Sequence, residues 1–431
     1  MMKKWWLLLF LILILIGLNA DQMLISPNIS MIEKELRIND AQIGYIASSF
    51  TVIGAILSLI WGYMSDKYQR RKLIFWAIFV GEIPCFLSAF AQNYGELFFL
   101  RALTGIGVGA MFPVVFSYIS DIYDEAARAK VVAYLSTAIA LGSVVGMAIA
   151  GFVGPSYGWR LPFVLVSLPN IVLIILFYFL SEEPKRGASE HAVKELVNSG
   201  LPYPGRVKLS DYKKLVTTPT NLFLFLQGIV GTIPWGAIPF FLVTFLNRYK
   251  GLSVQSATVV FLVFGMGDLV GILLGGMIGA RLYKIKHGYM PLFCSITTAA
   301  GTFLVLWVIA IPSVNTVSGY VFLLVSGFAA AMVISMTGPN VTTMVMNVNE
   351  VENRGKIFSI FNLTNSLGTG IGKLVGGSLS MILGSMLIAL NISTLFWLVC
   401  AFLLIFVVVY IGRDLEKIHL RMEKIAKEMK S

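Results

Sequence analysis

One kind of segment recurs through this chain and limits what it can become: about a dozen apolar stretches of roughly 20 residues, separated by short polar loops. At about 1.5 Å per residue, each can cross the roughly 30 Å hydrocarbon layer of a bilayer. Lipid offers the backbone no hydrogen-bond partners, so each stretch must close its own, which makes the chain all-α. Composition agrees: 57% of the 431 residues are apolar, 13% are charged, and mean hydropathy is +0.82. A soluble enzyme is excluded. The net charge of +11 is a topology signal rather than a nucleic-acid footprint. With the amino terminus inside, Lys34, Arg37, Arg160, Arg248 and Lys250 fall outside, and Arg101 and Lys373 fall within membrane segments. The other 26 of the 33 Lys and Arg fall on the cytoplasmic face. That asymmetry puts both termini in the cytoplasm and the protein in the cytoplasmic membrane.

The first stretch, Met1 to Gly17, has the basic start and apolar run of a signal peptide. Retaining it as helix one, to about residue 29, gives twelve crossings in two equal halves, whereas cleavage leaves eleven. The expected organisation is a six-helix bundle over 1–180, a polar cytoplasmic linker over 181–218, a second six-helix bundle over 219–412 and a tail over 413–431. In the tail Leu415, Ile418, Met422, Ile425 and Met429 recur at helical spacing opposite a basic face, which predicts an amphipathic helix on the inner leaflet. The halves are pseudo-symmetric. Pro113, Arg128, Lys130, Gly142, Gly146 and Gly151 recur at an offset of 226 as Pro339, Arg354, Lys356, Gly368, Gly372 and Gly377. Duplicated six-helix units belong to alternating-access transporters with a site near the midplane.

The helix-four stretch Arg101–Pro113 carries the most polar content. An arginine in hydrocarbon costs about 2.5–3.5 kcal/mol on insertion scales, so Arg101 must face protein or water. Gly105, Gly107 and Gly109 allow close backbone approach, and Pro113 bends the helix. Pro234 and Pro239 in GTIPWGAIP predict an interruption of helix seven, and Pro339 repeats the bend of Pro113.

On these motifs the chain resembles the major facilitator superfamily. The loop Gly62-x-x-x-Asp66-Lys67-x-x-Arg70-Arg71 is similar to that superfamily's inner-gate motif, and Arg101-x-x-x-Gly105-x-Gly107-x5-Pro113 to the helix-four motif of its proton-coupled members. Within the superfamily the chain resembles the Spinster lipid transporters. The resemblance covers Asp21 to Ile46, the GYxxDxYxR pattern from Gly62 and the Glu183-Pro184-Lys185-Arg186-Gly187 segment. Gln22 and Val108 stand where that family has an arginine and a glutamate, and Met147 replaces the proline of the antiporter motif in helix five. The resemblance implies rocker-switch alternating access by a monomer, a proton as coupling ion and a lysolipid-like amphiphile as substrate. Drug efflux and organic-anion transport are the alternatives in the same fold; a non-transporting receptor is disfavoured.

The residues then divide by role. Gly62, Asp66, Lys67, Arg70, Arg71 and Arg128, with Arg281 and Arg354 in the second half, form the expected inner gate. Asp21 and Arg101, at similar depth, form either a protonation switch or a permanent ion pair. Asp268 and Lys373 fall near mid-membrane, as a second ion pair with Lys373 offered to an anionic headgroup or as charges retained for packing. Gln227, Trp235, Asn340, Asn362 and Asn365 lie on cavity-prone helices and line the pocket or glue helices together. Glu82, alone in the apolar run from Phe79 to Leu87, reads as a structural residue on a peripheral helix. Cys85, Cys294 and Cys400 lie in apolar segments, and His191, His287 and His419 in loops or the tail. Neither a disulfide framework nor a metal site is expected, and no cofactor.

Overall fold

The structure, a computed structural model, describes residues 4–123, 125–184, 215–312, 314, 316–349 and 354–428. Regular structure among them is entirely helical, in twelve long stretches. The first six are α1 (Lys4–Ala20), α2 (Asp40–Lys67), α3 (Arg70–Ser88), α4 (Tyr94–Ala110), α5 (Glu125–Tyr157) and α6 (Leu161–Leu180). The second six are α7 (Pro219–Lys250), α8 (Val254–Ile285), α9 (Tyr289–Ala310), α10 (Val317–Ser335), α11 (Arg354–Leu383) and α12 (Met386–Glu428). Ten of these, with their continuations, are long and apolar enough to cross a membrane by themselves. The exceptions, α3 and α11, open on basic turns and carry Glu82 and Lys373 in their apolar runs. The chain divides into two compact units, Met1–Gly205 with Ser253–Thr258, and Arg206–Leu252 with Val259–Ser431.

Prolines shape the helices unequally. α1 stops nine residues short of the expected end. Two 3-10 turns, Asp21–Met23 and Ser26–Asn28, lead instead into a short helix Ile29–Leu36. Pro27, with no N–H to donate to a helical ladder, sits in the second of these turns. α4 passes through a π-turn, Met111–Val115, around Pro113 and resumes as Phe116–Ile122. α10 ends at Ser335 and, after the two turn residues Met336 and Thr337, resumes as Gly338–Asn347 with Pro339 in the new first turn. The expected interruption of helix seven does not occur: α7 runs unbroken through Pro234 and Pro239. Close neighbours hold it. The indole Nε1 of Trp397 donates to Gly231 O at 2.8 Å, and a Cβ on Gly236 would lie 2.0 Å from Thr369 O.

The sequence repeat is a packing repeat. A Cβ on Gly142 or Gly146 of α5 would lie 2.6 Å from Ile16 O or 2.2 Å from Ala20 O of α1. A Cβ on Gly368 or Gly372 of α11 would lie 2.1 Å from Ile229 O or 2.0 Å from Ile233 O of α7. Each unit therefore seats its fifth helix on its first through the same two glycines, as membrane helices do when packing rather than hydrophobicity drives association. In the first unit Leu11, Leu18, Ala77, Val114, Tyr118, Leu135 and Phe177 form the core. α6 shows both environments a bilayer allows. Phe163, Val166, Ile174 and Phe177 are buried, while Leu165, Leu168, Val172, Leu176 and Phe179 stand exposed at spacings of three and four. A helix apolar on every face belongs in lipid.

The tail begins as part of the bundle. α12 continues unbroken to Glu428, and Leu415 sits in the second unit's core with Leu224, Phe361 and Leu404. Asp414 is buried and accepts from the Thr220 amide (3.1 Å) and hydroxyl (2.8 Å), capping α7. The start of the tail is thus a clasp on the helix bundle, while the side chains of Met422, Ile425 and Met429 lie outside the described residues.

Candidate coupling cluster and substrate cavity

In the first unit the break after α1 creates a charged cluster. The 3-10 turn frees the main-chain carbonyl of Asp21, and Arg101 Nη2 donates to it at 2.8 Å. Arg101 Nη1 reaches Cys85 Sγ at 3.4 Å, and the guanidinium lies over the rings of Phe50 (4.7 Å) and Phe163 (5.5 Å). Arg101 is therefore solvated by a carbonyl, a thiol and two π-faces. The expected carboxylate–guanidinium pair is not formed: Arg101 binds the Asp21 backbone, and both Asp21 carboxylate oxygens are buried without a hydrogen-bond partner. What lies beside that carboxylate is Glu82. Ligand atoms of Asp21, Glu82 and Cys85 all fall within 4.8 Å of one another, and all three residues are buried. Glu82 accepts from Asn170 Nδ2 at 2.5 Å through one oxygen, leaving the other unpartnered. The three donors have the spacing of a cation site, but a guanidinium already supplies positive charge there.

Five buried polar atoms in this cluster lack partners: both Asp21 carboxylate oxygens, Glu82 Oε2, Arg101 Nε and Asn170 Oδ1. Leaving a buried polar atom unsatisfied costs about 1–3 kcal/mol, so a mobile proton or transient water has a place here. Two carboxylates within 4.8 Å repel by on the order of 3 kcal/mol at an effective dielectric of 20. One arginine neutralises one of them.

Where α2 gives way to α3 in the same unit, Arg70 forms a buried ion pair with Asp121. Glu183 accepts from the backbone amides of Arg70 and Arg71, both at 2.8 Å, capping α3 with a carboxylate. Arg71 Nη1 donates to Ser181 O (2.7 Å) and lies over the Tyr178 ring, and the Tyr118 hydroxyl donates to Glu182 O (2.7 Å). The segment after α6 is thus bolted to the start of α3 and to the continuation of α4. Lys67 is exposed and donates to the Tyr63 hydroxyl; Gly62 faces Pro113, its built Cβ 3.6 Å from that ring. Arg281 is exposed, and the side chains of Asp66, Arg128 and Arg354 lie outside the described residues. Gly105 and Gly107 act in packing rather than bending, against Phe50 O and Ala77 O.

The second unit holds a cavity of about 370 Å³. Gln227, Thr232 and Trp235 of α7, Asp268 of α8, Asn365 of α11 and Trp397 of α12 contribute to its wall. Three of the expected pocket residues and Asp268 therefore meet in one space. The others do not. Asn340 is buried and donates to Gly275 O and Met336 O, which makes it helix glue, and Asn362 is exposed off the wall. Asp268 and Lys373 are not joined in an ion pair. Gly368 and Gly372 turn that face of α11 onto α7, so the buried ammonium of Lys373 lies 5.5 Å from the Phe240 ring centroid instead.

The sequence reading missed Glu82, Cys85 and Asn170 in the cluster, Asp121 and the capping role of Glu183 at the start of α3, and Ser335 in the cavity. Glu82 carried its own signal: an ionisable residue within a crossing segment is functional by default. Asn170 and Ser335 carried none, because polar residues of their kind occur throughout such helices as packing contacts.

Twelve long helices in two repeated units, ten of them apolar enough to cross a membrane by themselves, with a buried charge cluster in one unit and a mixed polar and aromatic cavity in the other, fit a membrane transporter. Residues 8–373 match the Major Facilitator Superfamily, and the chain belongs to that family. It is 26% identical over 283 residues to the hexuronate transporter of Bacillus subtilis (strain 168), a match spanning 64% of either chain. It is 22% identical over 381 residues to the uncharacterised MFS-type transporter YceJ of the same organism, covering 88% of this chain and 89% of that one. Its fold is similar to that of a bacterial homolog of the human lysosomal transporter Spinster, solved inward-facing and unoccupied: TM-score 0.82, 17% identity, 96% of this chain and 99% of that one. The D-xylose–proton symporter also shares the fold (TM-score 0.68, 16% identity, 92% and 96% covered). The likeness to Spinster read from the motifs thus holds at the level of the fold.

Proposed function

We propose that the protein is a proton-coupled secondary transporter that moves an amphiphilic, lysolipid-like solute by rocker-switch alternating access. It works as a monomer in the cytoplasmic membrane with both termini inside. The observation that carries the coupling is the buried Asp21–Glu82 pair beside Arg101, with five unpartnered polar atoms in one cluster. Arg101 fastens α4 to the break after α1 through the Asp21 carbonyl, so a movement of either helix changes how much positive charge the carboxylates feel. Losing that charge favours taking up a proton, and restoring it favours release. Chemistry at the cluster and helix motion are then one event. The amphiphile is supported by a cavity wall that mixes amide and carboxylate groups with indole rings.

The test uses purified protein in proteoliposomes with an imposed pH gradient and labelled lysophospholipid. Gradient-driven flux should fall at least tenfold in Asp21→Asn and in Glu82→Gln, while counterflow without a gradient persists in Glu82→Gln. Full gradient-driven flux in both variants would remove the cluster from coupling. The likeness to the hexuronate transporter favours a second reading, an organic anion. Hexuronate flux without lysophospholipid flux would replace the lipid with that anion.

A further inference from the structure

We propose that the cavity of the second unit is a binding site for an organic ammonium group, with Asp268 as its counter-ion and the indoles of Trp235 and Trp397 as its aromatic wall. This deepens the transport reading and rests on it for the fate of the ligand, though not for its binding. Among the described residues Asp268 is the only charged one in the wall; the other polar contributors are Gln227, Asn365 and hydroxyls. Lys373, the cation expected to answer Asp268, is held over Phe240 instead. An aspartate in a crossing helix with no basic partner in its cavity must either carry a proton or receive a cation from outside. A bound anion would face that carboxylate at close range with nothing in the wall to offset it.

The rest of the wall suits an alkylated ammonium. Trp235 and Trp397 stand edge to face with ring centroids 5.6 Å apart, and Phe264 lies 6.2 Å from Trp235 on the side of α8. Trp397 is pinned by its hydrogen bond to Gly231 O, so its ring is set before a ligand arrives. Cations over indole faces are drawn to the ring's negative face, more strongly when water is excluded, and quaternary ammonium groups are recognised in this way. Ser335 also lines the cavity, with its hydroxyl against the Asp268 carboxylate, where it helps to hold that group on the wall. About 370 Å³ is ample for a headgroup and falls within the usual range of ligand cavities.

The test is direct binding to the full-length protein in nanodiscs, read by quenching of tryptophan fluorescence. The probe is benzyltrimethylammonium, compared with neutral neopentylbenzene and anionic benzoate. Saturable binding of the ammonium alone is expected, weakened at least tenfold in Asp268→Asn and recovered in Asp268→Glu, with all three proteins monodisperse on gel filtration. Displacement of the probe by lysophosphatidylcholine would place the ammonium on a lipid headgroup. Displacement only by free alkylammonium salts would place it on a soluble amine; either result supports the site. Benzoate binding in preference, or ammonium binding unchanged in Asp268→Asn, overturns the proposal. Ammonium binding without lysophospholipid flux would leave the site standing and remove the lipid reading, and lysophospholipid flux without ammonium binding would do the reverse.

Discussion

The cap on α3 offers a perturbation whose size can be worked from the structure. The first amides of a helix have no acceptor within the helix, so the N–H groups of Arg70 and Arg71 depend on an outside partner. Glu183 supplies it with both carboxylate oxygens at 2.8 Å. Hydrogen bonds to a charged group contribute about 1.5–3 kcal/mol each when shielded, and a carboxylate at a helix amino end adds about 0.3–1 kcal/mol. Glu183 is half-buried, so water refills part of what a truncation removes. Glu183→Ala should therefore cost about 1–2 kcal/mol locally, which is roughly five- to thirty-fold in the opening equilibrium of that turn. The assay is amide hydrogen exchange on protein in nanodiscs. Peptides covering residues 69–73 should exchange faster by that factor, while those covering 79–88 stay unchanged. Glu183→Gln, which keeps one acceptor, should lie between. No change at 69–73, or an equal change along all of α3, would refute the cap as the source of order at this end.

Three further substitutions probe the scaffold. Gly372→Ala puts a Cβ 2.0 Å from Ile233 O, so α11 must withdraw from α7 by more than an ångström; about 1–3 kcal/mol of overpacking should lower the thermal midpoint by several degrees. Gly412→Ala in α12 meets nothing within 4 Å and should hold or raise it. Lys250 is buried, and its ammonium donates to Ile309 O (2.7 Å) and Ile311 O at the carboxyl end of α9. Lys250→Met should cost about 1–3 kcal/mol by stranding those carbonyls, and an unchanged midpoint would count against that capping role.

Reading the sequence located the helices well and their interiors poorly, for physical reasons. Crossing helices announce themselves by length and hydropathy, and the glycines at 142, 146, 368 and 372 announce close packing because no other residue fits there. Local chemistry decides less about proline. Pro113 and Pro339 bend their helices, whereas Pro234 and Pro239 do not, because Trp397 and α11 brace α7 from outside. No local pattern encodes that brace. The cluster was half legible. Asp21 and Arg101 stood out as charges in apolar runs, but their contact runs through a main-chain carbonyl that only the break after Ala20 exposes. Glu82 was visible and misplaced, because its partner lies on a helix distant in sequence. Lys373 and Asp268 sat at matching depths, and depth says nothing of azimuth. The face that α11 turns to α7 keeps them apart.

Comparing the two units separates what folds the protein from what it does. Position 147 in α5 and position 373 in α11 are equivalent in the repeat, and both are buried. One holds methionine and the other lysine, while the two glycines that precede each pack in the same way. A slot that accepts either residue is not what the scaffold requires, so the charge at 373 is an addition to it. The same holds for the larger contrast. The first unit places its charges in a sealed cluster of carboxylates around one guanidinium, an arrangement suited to a proton. The second opens a cavity against a single aspartate and two indoles, an arrangement suited to a larger guest. Duplication supplied two copies of one packing solution, and divergence gave them different polar equipment. On the coupling proposed above, the carboxylate cluster and the guest cavity must favour the same helix movements, and that demand falls on the packing pattern the two units share.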